Sequence, residues 1–344
     1  MPIALKLDFN HKTQPKTLEG GGYFSLPREH GFRDTATSDL QALITEIEAG
    51  RPWREAVAGR YQSSRPWLYR IITEECRTAF FDQILPAGSE PVLDIGSGWG
   101  QIARPLAQHR PVAALEPVAE RMAFIKAAAK QDQVSDHMGF LEADYFDLHF
   151  HTRFSAICAI GVLEWVGAFQ DHTDPQVRQQ NFLHKARSEL APGGTLILGI
   201  ENRTGLKYLL GCPDDHIGVS NIACLPALLA RQRWHETSGH SLKSFTYSYP
   251  ELEQMLRSAG FKKIEFFAAF PDYKLPANIV PFGGAGGSLN DWLKTAQLPP
   301  EHNGYDGSAL GSQLQETLQA HYRDFASQGI AHHFVPSFFV AAQP

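Results

Sequence analysis

Three glycines spaced by two, Gly96, Gly98 and Gly100, close the stretch Val92-Leu-Asp-Ile-Gly-Ser-Gly-Trp-Gly100. Glycine tolerates positive φ and has no Cβ, so a ligand can approach the backbone of such a loop. Val92, Leu93 and Ile95 read as a buried strand before it, and residues 101–106 as the helix behind it. Open α/β sheets bind nucleotides at a turn of this kind. Two carboxylates stand where the same ligand needs them. Glu116 ends the apolar run 112–115, 20 positions beyond Gly96, a separation at which a βαβ unit delivers an acid to ribose hydroxyls. Asp144 ends a third apolar run and is followed by Tyr145. The dinucleotide fingerprint asks for glycine at the sixth loop position, but Gln101 stands there, which weakens a nicotinamide-dependent oxidoreductase. A second polar concentration, Glu201 to His216, ends in Asp214-Asp215-His216. Imidazole titrates near ~6.5, which makes His216 the first candidate for a general base, with Asp215, His172 and His240 as alternatives. Adjacency of acids and a histidine is no coordination sphere, so no metal site is assigned.

These residues need a scaffold, and the pattern supplies one. From Pro91 onward, apolar runs alternate with amphipathic stretches, as in a parallel sheet covered on both faces. Before it, residues 1–33 read as an extended arm and 34–90 as a helical region. There Ser38 to Gln41 carries a capping-box pattern, and Pro66 to Leu85 reads as one longer helix. Such a region either covers the substrate or packs on the sheet. The main domain is assigned to 91–344, with insertions at 201–245 and 271–330. Ser248 to Glu251 opens a capped helix, Lys263 to Phe270 reads as a strand, and His333 to Val340 as a last strand holding Pro336.

Composition narrows the partners. A net charge of −6 with no Lys/Arg run speaks against a nucleic-acid groove. No stretch reaches the ~18–20 apolar residues that cross a bilayer, and the N-terminus lacks a signal peptide's apolar core. Cys76, Cys158, Cys212 and Cys224 show no metal-ligand spacing. They read as reduced thiols in a cytoplasmic protein.

The order Asp94-x-Gly96-x-Gly98-x-Gly100 resembles motif I of class I S-adenosylmethionine (SAM) dependent methyltransferases. The resemblance implies a seven-stranded Rossmann-like α/β sheet whose last strand enters antiparallel, with the helical N-terminal extension and an insertion after strand five. It implies SAM as cofactor. Asp94 would support the methionine end and the glycine loop would pass under it. Glu116, with Pro117 beside it, would hold the ribose; Asp144 would face the adenine amino group and Tyr145 would cover the ring. Ile160 and Gly161, at the end of strand four, complete the cofactor-binding set. Leu190-Ala-Pro-Gly-Gly194 is similar to the family's corner before strand five. Residues 162–164 resemble a Val-Leu-Glu-His sequence of small-molecule methyltransferases, with Trp165 in place of histidine. The Asn/Asp-Pro-Pro-Tyr of adenine and glutamine methyltransferases is missing. Glu201 to His216 and Phe270 to Pro276 resemble bacterial methyltransferases associated with polysaccharide and lipopolysaccharide biosynthesis. This implies transfer to a hydroxyl of a sugar, glycan precursor or other small metabolite, with His216 and Asp215 as catalytic candidates. A SAM-binding protein without catalysis is the alternative, and oligomeric state is left open.

Overall fold

In the computed structural model, which describes residues 2–9, 16–27, 31–78, 80–85, 90–169, 173–304 and 306–344, contacts divide the chain into two units. The first comprises Met1–Ala159 with Ser188–Leu196, the second Ile160–Arg187 with Ile197–Pro344.

The first unit opens with β1 (Ala4–Phe9), β2 (Lys16–Glu19) and β3 (Tyr23–Ser25), then α1 (Thr37–Glu48), α2 (Trp53–Tyr61), α3 (Pro66–Thr73) and α4 (Phe81–Ile84). It continues with β4 (Val92–Ile95), α5 (Ala103–Ala107), β5 (Val112–Leu115), α6 (Ala119–Gln131), β6 (Met138–Glu142), β7 (Leu148–Phe150) and β8 (Phe154–Ile160). Strands β3, β6, β5, β4 and β8 lie side by side in that order, all parallel. Every residue of β4, β5, β6 and β8 is buried, as expected of unalternating apolar runs inside a parallel sheet. The N-terminal segment is therefore paired chain. Tyr23 to Ser25 extend the sheet beside β6, while β1 sits antiparallel between β2 and β7 in a separate small sheet.

The helices before β4 pack on the sheet's own helix. Leu40, Leu43 and Ile47, spaced for one face of α1, meet Trp53, Val57, Ile72, Trp99, Phe124 and Ala128 in one cluster. Trp99 and Phe124 meet edge to face at 5.1 Å, an arrangement worth about 0.5–1.5 kcal/mol beyond burial. Two local readings are corrected here. The long helix from Pro66 breaks after Thr73, where Glu74 turns extended. The first helix starts after Ala36 without a side-chain cap, so its N-cap lies two residues ahead of Ser38.

The second unit holds most of α7 (Pro175–Glu189), the later part of β9 (Leu190–Glu201), α8 (Leu206–Leu209), α9 (Ala227–Ser238), α10 (Tyr249–Ser258), β10 (Lys263–Phe270), β11 (Asn278–Pro281), α11 (Gly287–Leu293), α12 (Ser312–Ser327) and β12 (Ser337–Gln343). Its strand order is β11-β10-β12-β9, with β10 antiparallel to both neighbours. Ser248 and Glu251 form the capping box at the start of α10. Pro336 precedes β12 rather than lying in it, so the last strand keeps all its N–H donors and begins four residues later than expected. Glycine and proline at 192–194 do not separate α7 from β9, because the strand begins at Leu190 and carries Gly193 at φ 76°. Among the described residues no helix is long and apolar enough to cross a membrane, and all four cysteines are free. The architecture is mixed α/β with a mostly parallel sheet.

Candidate active site

The glycine loop leaves β4 with Gly96, Gly98 and Gly100 all at positive φ (66°, 58° and 73°). At Gly100 a Cβ would stand 3.1 Å from both Arg104 and Ile125, so conformation and space both require glycine. The loop is stitched to its surroundings. Ser97 N donates to Leu115 O (3.0 Å) and Gly100 N to Ser97 O (2.7 Å). Gly98 N donates to Glu116 Oε2 (2.9 Å), and Val118 N donates to Glu116 Oε1 (3.0 Å). Gln101, where a dinucleotide loop would have glycine, turns its Oε1 back to accept from Trp99 N at 2.9 Å. That contact was not legible from residue type.

Two buried acids flank this loop. Asp94 is 1% exposed, and its Oδ2 has no hydrogen-bond partner among the described residues. Burial pushes its carboxyl up to about 7, against the Ser97 hydroxyl and Arg77, which favour the charged form. An ammonium group set against Oδ2 would satisfy that orphaned oxygen, which is the test SAM's methionine end has to meet; the site fits it. Glu116 is 3% exposed and burial raises its carboxyl, opposed by the Arg121 guanidinium and the two backbone donors. Arg121 in turn pairs with Asp34 at 2.8 Å, so the chain after the N-terminal strands is tied to the end of β5. A Cβ on Gly31 would stand 2.9 Å from Val118, next to Pro117.

Other expected cofactor residues have occupations of their own. Asp144 caps the short turn 145–147 by accepting from Phe146 N at 2.8 Å. Tyr145 is 5% exposed with its hydroxyl donating to Glu189, which leaves little of the ring to cover a ligand. Gly161, in the second unit, follows β8 at φ 73° and donates to Gly199 O at 2.8 Å. Ile160 before it is 7% exposed.

The second unit gathers residues that are scattered along the chain. His216 Nε2 lies 3.5 Å from Glu201 Oε2 and 3.9 Å from Glu164 Oε1, and Nδ1 lies 3.4 Å from Asp214 Oδ1. Its side chain is 5% exposed, and the Trp165 ring packs against it at 5.1 Å between centroids. Tyr273 donates to Glu164 Oε1 at 3.2 Å, and Lys274 pairs with Glu201 Oε1 and, at 3.2 Å, with Asp215 Oδ2. Lys207 reaches both oxygens of Asp215 at 3.1 and 3.2 Å. Burial works against a charged His216, but Glu201, Asp214 and Glu164 outweigh it and hold the imidazole's pKa well above its ordinary value. Burial likewise raises Glu164. For Glu201, burial is outweighed by Lys274 and His216, which hold the carboxyl well below the usual range. Asp215 is lowered too, burial being outweighed by Lys207 and Lys274.

This geometry revises the base assignments. Asp215 has both oxygens engaged by ammonium groups, so it is a counter-ion and a poor proton acceptor. The three carboxylates beside His216 favour its protonated form. The acids that make the cluster, Glu164 and Glu201, were absent from the catalytic candidates. His240 is exposed and outside the cluster, and His172 lies outside the described residues. A small cleft of about 30 Å³ in the same unit reaches His216 and Asp214, lined among others by Arg203, Phe245, Tyr247 and Glu251.

A parallel sheet whose first strand runs into a triply positive-φ loop, with an acid ending the next strand, is a scaffold on which open α/β sheets bind nucleotides. Residues 92–194 match the family described as a methyltransferase domain. The chain thus carries a methyltransferase domain over these residues, which supports a SAM-dependent methyltransferase over an oxidoreductase. No sequence among curated proteins matches it. Solved structures similar to it include the CcbJ methyltransferase of Streptomyces caelestis, at 18% identity over 55% of this chain and 85% of that one, TM-score 0.40. A cyclopropane synthase, MmaA2, from Mycobacterium tuberculosis matches at 16% identity over 78% and 83%, TM-score 0.43. A possible histamine N-methyltransferase from Thermotoga maritima matches at 14% identity over 84% and 99%, TM-score 0.40. Likeness at this level says nothing about the acceptor.

Proposed function

We propose that the enzyme transfers the SAM methyl group to a hydroxyl oxygen of a sugar, a glycan precursor or another small hydroxylated metabolite, in the cytoplasm. The observation that supports this is the buried Glu164–Glu201–His216 cluster opening on a cleft with mixed polar and aromatic walls. Arg203 and Glu251 pair there, Arg203 Nε reaching Glu251 Oε2 at 3.0 Å, and Tyr247 and Phe245 supply flat apolar surface. Sugars are bound by such combinations of charged hydrogen-bonding groups and ring faces. SAM supplies an activated methyl group on a positively charged sulfur when bound. Asp94, the glycine loop, Glu116 and Asp144 would hold it. The protein's own tasks are to align the acceptor, exclude water and receive the hydroxyl proton. We assign that proton to the cluster as a whole: a carboxylate with a raised pKa, Glu164, stands beside an imidazole already held by carboxylates.

The test is turnover of SAM against a panel of hydroxylated acceptors, sugar nucleotides among them, and amine acceptors. His216→Ala should lower turnover about 10²–10⁴-fold, the range for a lost acid–base group, with SAM affinity near wild type. Methylation confined to amine acceptors, or wild-type turnover in the variant, overturns the reading.

A further inference from the structure

The residues of the second-unit cluster are disposed for more than proton transfer. One ligand atom from each of Glu164, Glu201 and His216 lies within 4.8 Å of the others. Each glutamate has one oxygen held by a protein donor, Glu164 Oε1 by Tyr273 and Glu201 Oε1 by Lys274. The other oxygen of each, Oε2, is buried and has no hydrogen-bond partner among the described residues. The two side chains are fully withdrawn from solvent, at 0% and 1% exposure. Buried acceptors without partners are rare in proteins and ask for a ligand. His216 is arranged to match. Its Nδ1 faces Asp214, which fixes the ring, while Nε2 faces the two glutamates. An imidazole that binds a metal through one nitrogen usually has a carboxylate or carbonyl on the other.

Charge points the same way. Four carboxylates, Glu164, Glu201, Asp214 and Asp215, are gathered with only two ammonium groups, Lys207 and Lys274, and one imidazole. A divalent cation would offset the excess of acids. We propose that Glu164, Glu201 and His216, through one atom each, bind one divalent first-row cation. Two carboxylate oxygens and one imidazole nitrogen form a hard-to-borderline set without thiolate, the donor mixture that suits Mn²⁺. Three protein ligands leave positions open, and His216 lines the cleft. A cation there would take the acceptor hydroxyl as a ligand and make it more acidic. That consequence rests on the proposed acceptor, whereas cation binding does not.

The experiment is titration of the chelator-stripped full-length protein with Mn²⁺, free ion being read by electron paramagnetic resonance. One saturable site per chain is expected. Glu201→Gln and Glu164→Gln, nearly isosteric, should each weaken it at least tenfold, with circular dichroism confirming that the variants are folded. A wild-type titration with Co²⁺ gives a readout that needs no variant: bound Co²⁺ should show d–d bands without thiolate charge transfer. Absence of a saturable Mn²⁺ site, unchanged affinity in both folded variants, or a thiolate band would overturn the proposal. SAM binding measured by calorimetry on the same sample separates this failure from failure of the methyltransferase assignment.

Discussion

Replacing Asp94 by asparagine should make the SAM-free protein's stability less dependent on pH. Asp94 lies under the glycine loop, 1% exposed, with a folded pKa of about 7. In the unfolded chain the same carboxyl titrates near ~3.9. Its folded pKa is raised, so the folded state keeps a proton that the unfolded state releases. The contribution is most favourable below pH ~4 and is lost as pH rises through 7. Between pH 5 and 8 the wild type should lose roughly 2–3 kcal/mol through this group, at about 1.4 kcal/mol per unit of pKa difference fully titrated. Asparagine fills the same space without the charge, so the variant escapes that loss. For a unit of this size, the melting-temperature gap in favour of Asp94→Asn should widen by about 5–10 °C from pH 5 to pH 8. Calorimetric or fluorescence melting of both proteins without ligand, at the two pH values, provides the measurement. SAM's ammonium favours the ionised acid, so wild-type affinity for SAM should strengthen between pH 5.5 and 7 and the variant should lack that trend. A melting gap that is the same at both pH values would refute the assignment of Asp94 as a buried acid with one unpaired oxygen.

Glu116→Ala removes the acceptor of two backbone donors and should cost about 2–4 kcal/mol of stability, given ~1–3 kcal/mol for each buried group left unpaired. It should also weaken SAM binding by an order of magnitude or more, with Glu116→Gln between. Calorimetry giving wild-type affinity in a folded alanine variant would take Glu116 out of the site. Lys207→Met strips Asp215 of one buried ammonium and should destabilise by about 3 kcal/mol in denaturant titration. Adding Asp215→Leu should recover part of that loss, and a double variant less stable than the single one would contradict the pairing.

The residues whose chemistry is local were readable from sequence. The loop after β4, the acid ending β5, the capping box at Ser248 and the strand Lys263–Phe270 each depend on neighbours within a few positions, and each forms where expected. Glu201 and His216 are the two ends of one polar stretch, and Glu164 lies in another. Only tertiary folding sets them around one point, and no spacing rule predicts that. Lys274 and Tyr273 illustrate the same limit, since an exposed-looking loop sequence delivers both against buried glutamates. Where alternation was weak, as in the short strands before α1, pairing partners decided the structure. The break after Thr73 falls where apolar spacing alone had suggested continuity.

The loop's internal bonding has a bearing on selection among cellular nucleotides. Loops that cradle phosphate do so with free backbone amides. Here the amides of Ser97, Gly98, Trp99 and Gly100 are all taken, by Leu115, Glu116, Gln101 and Ser97. Two buried acids, Asp94 and Glu116, stand beside them. A pyrophosphate arriving here would meet spent donors and like charge, while a cationic, phosphate-free nucleoside meets neither. The discrimination is by sign of charge, built into main-chain bonding.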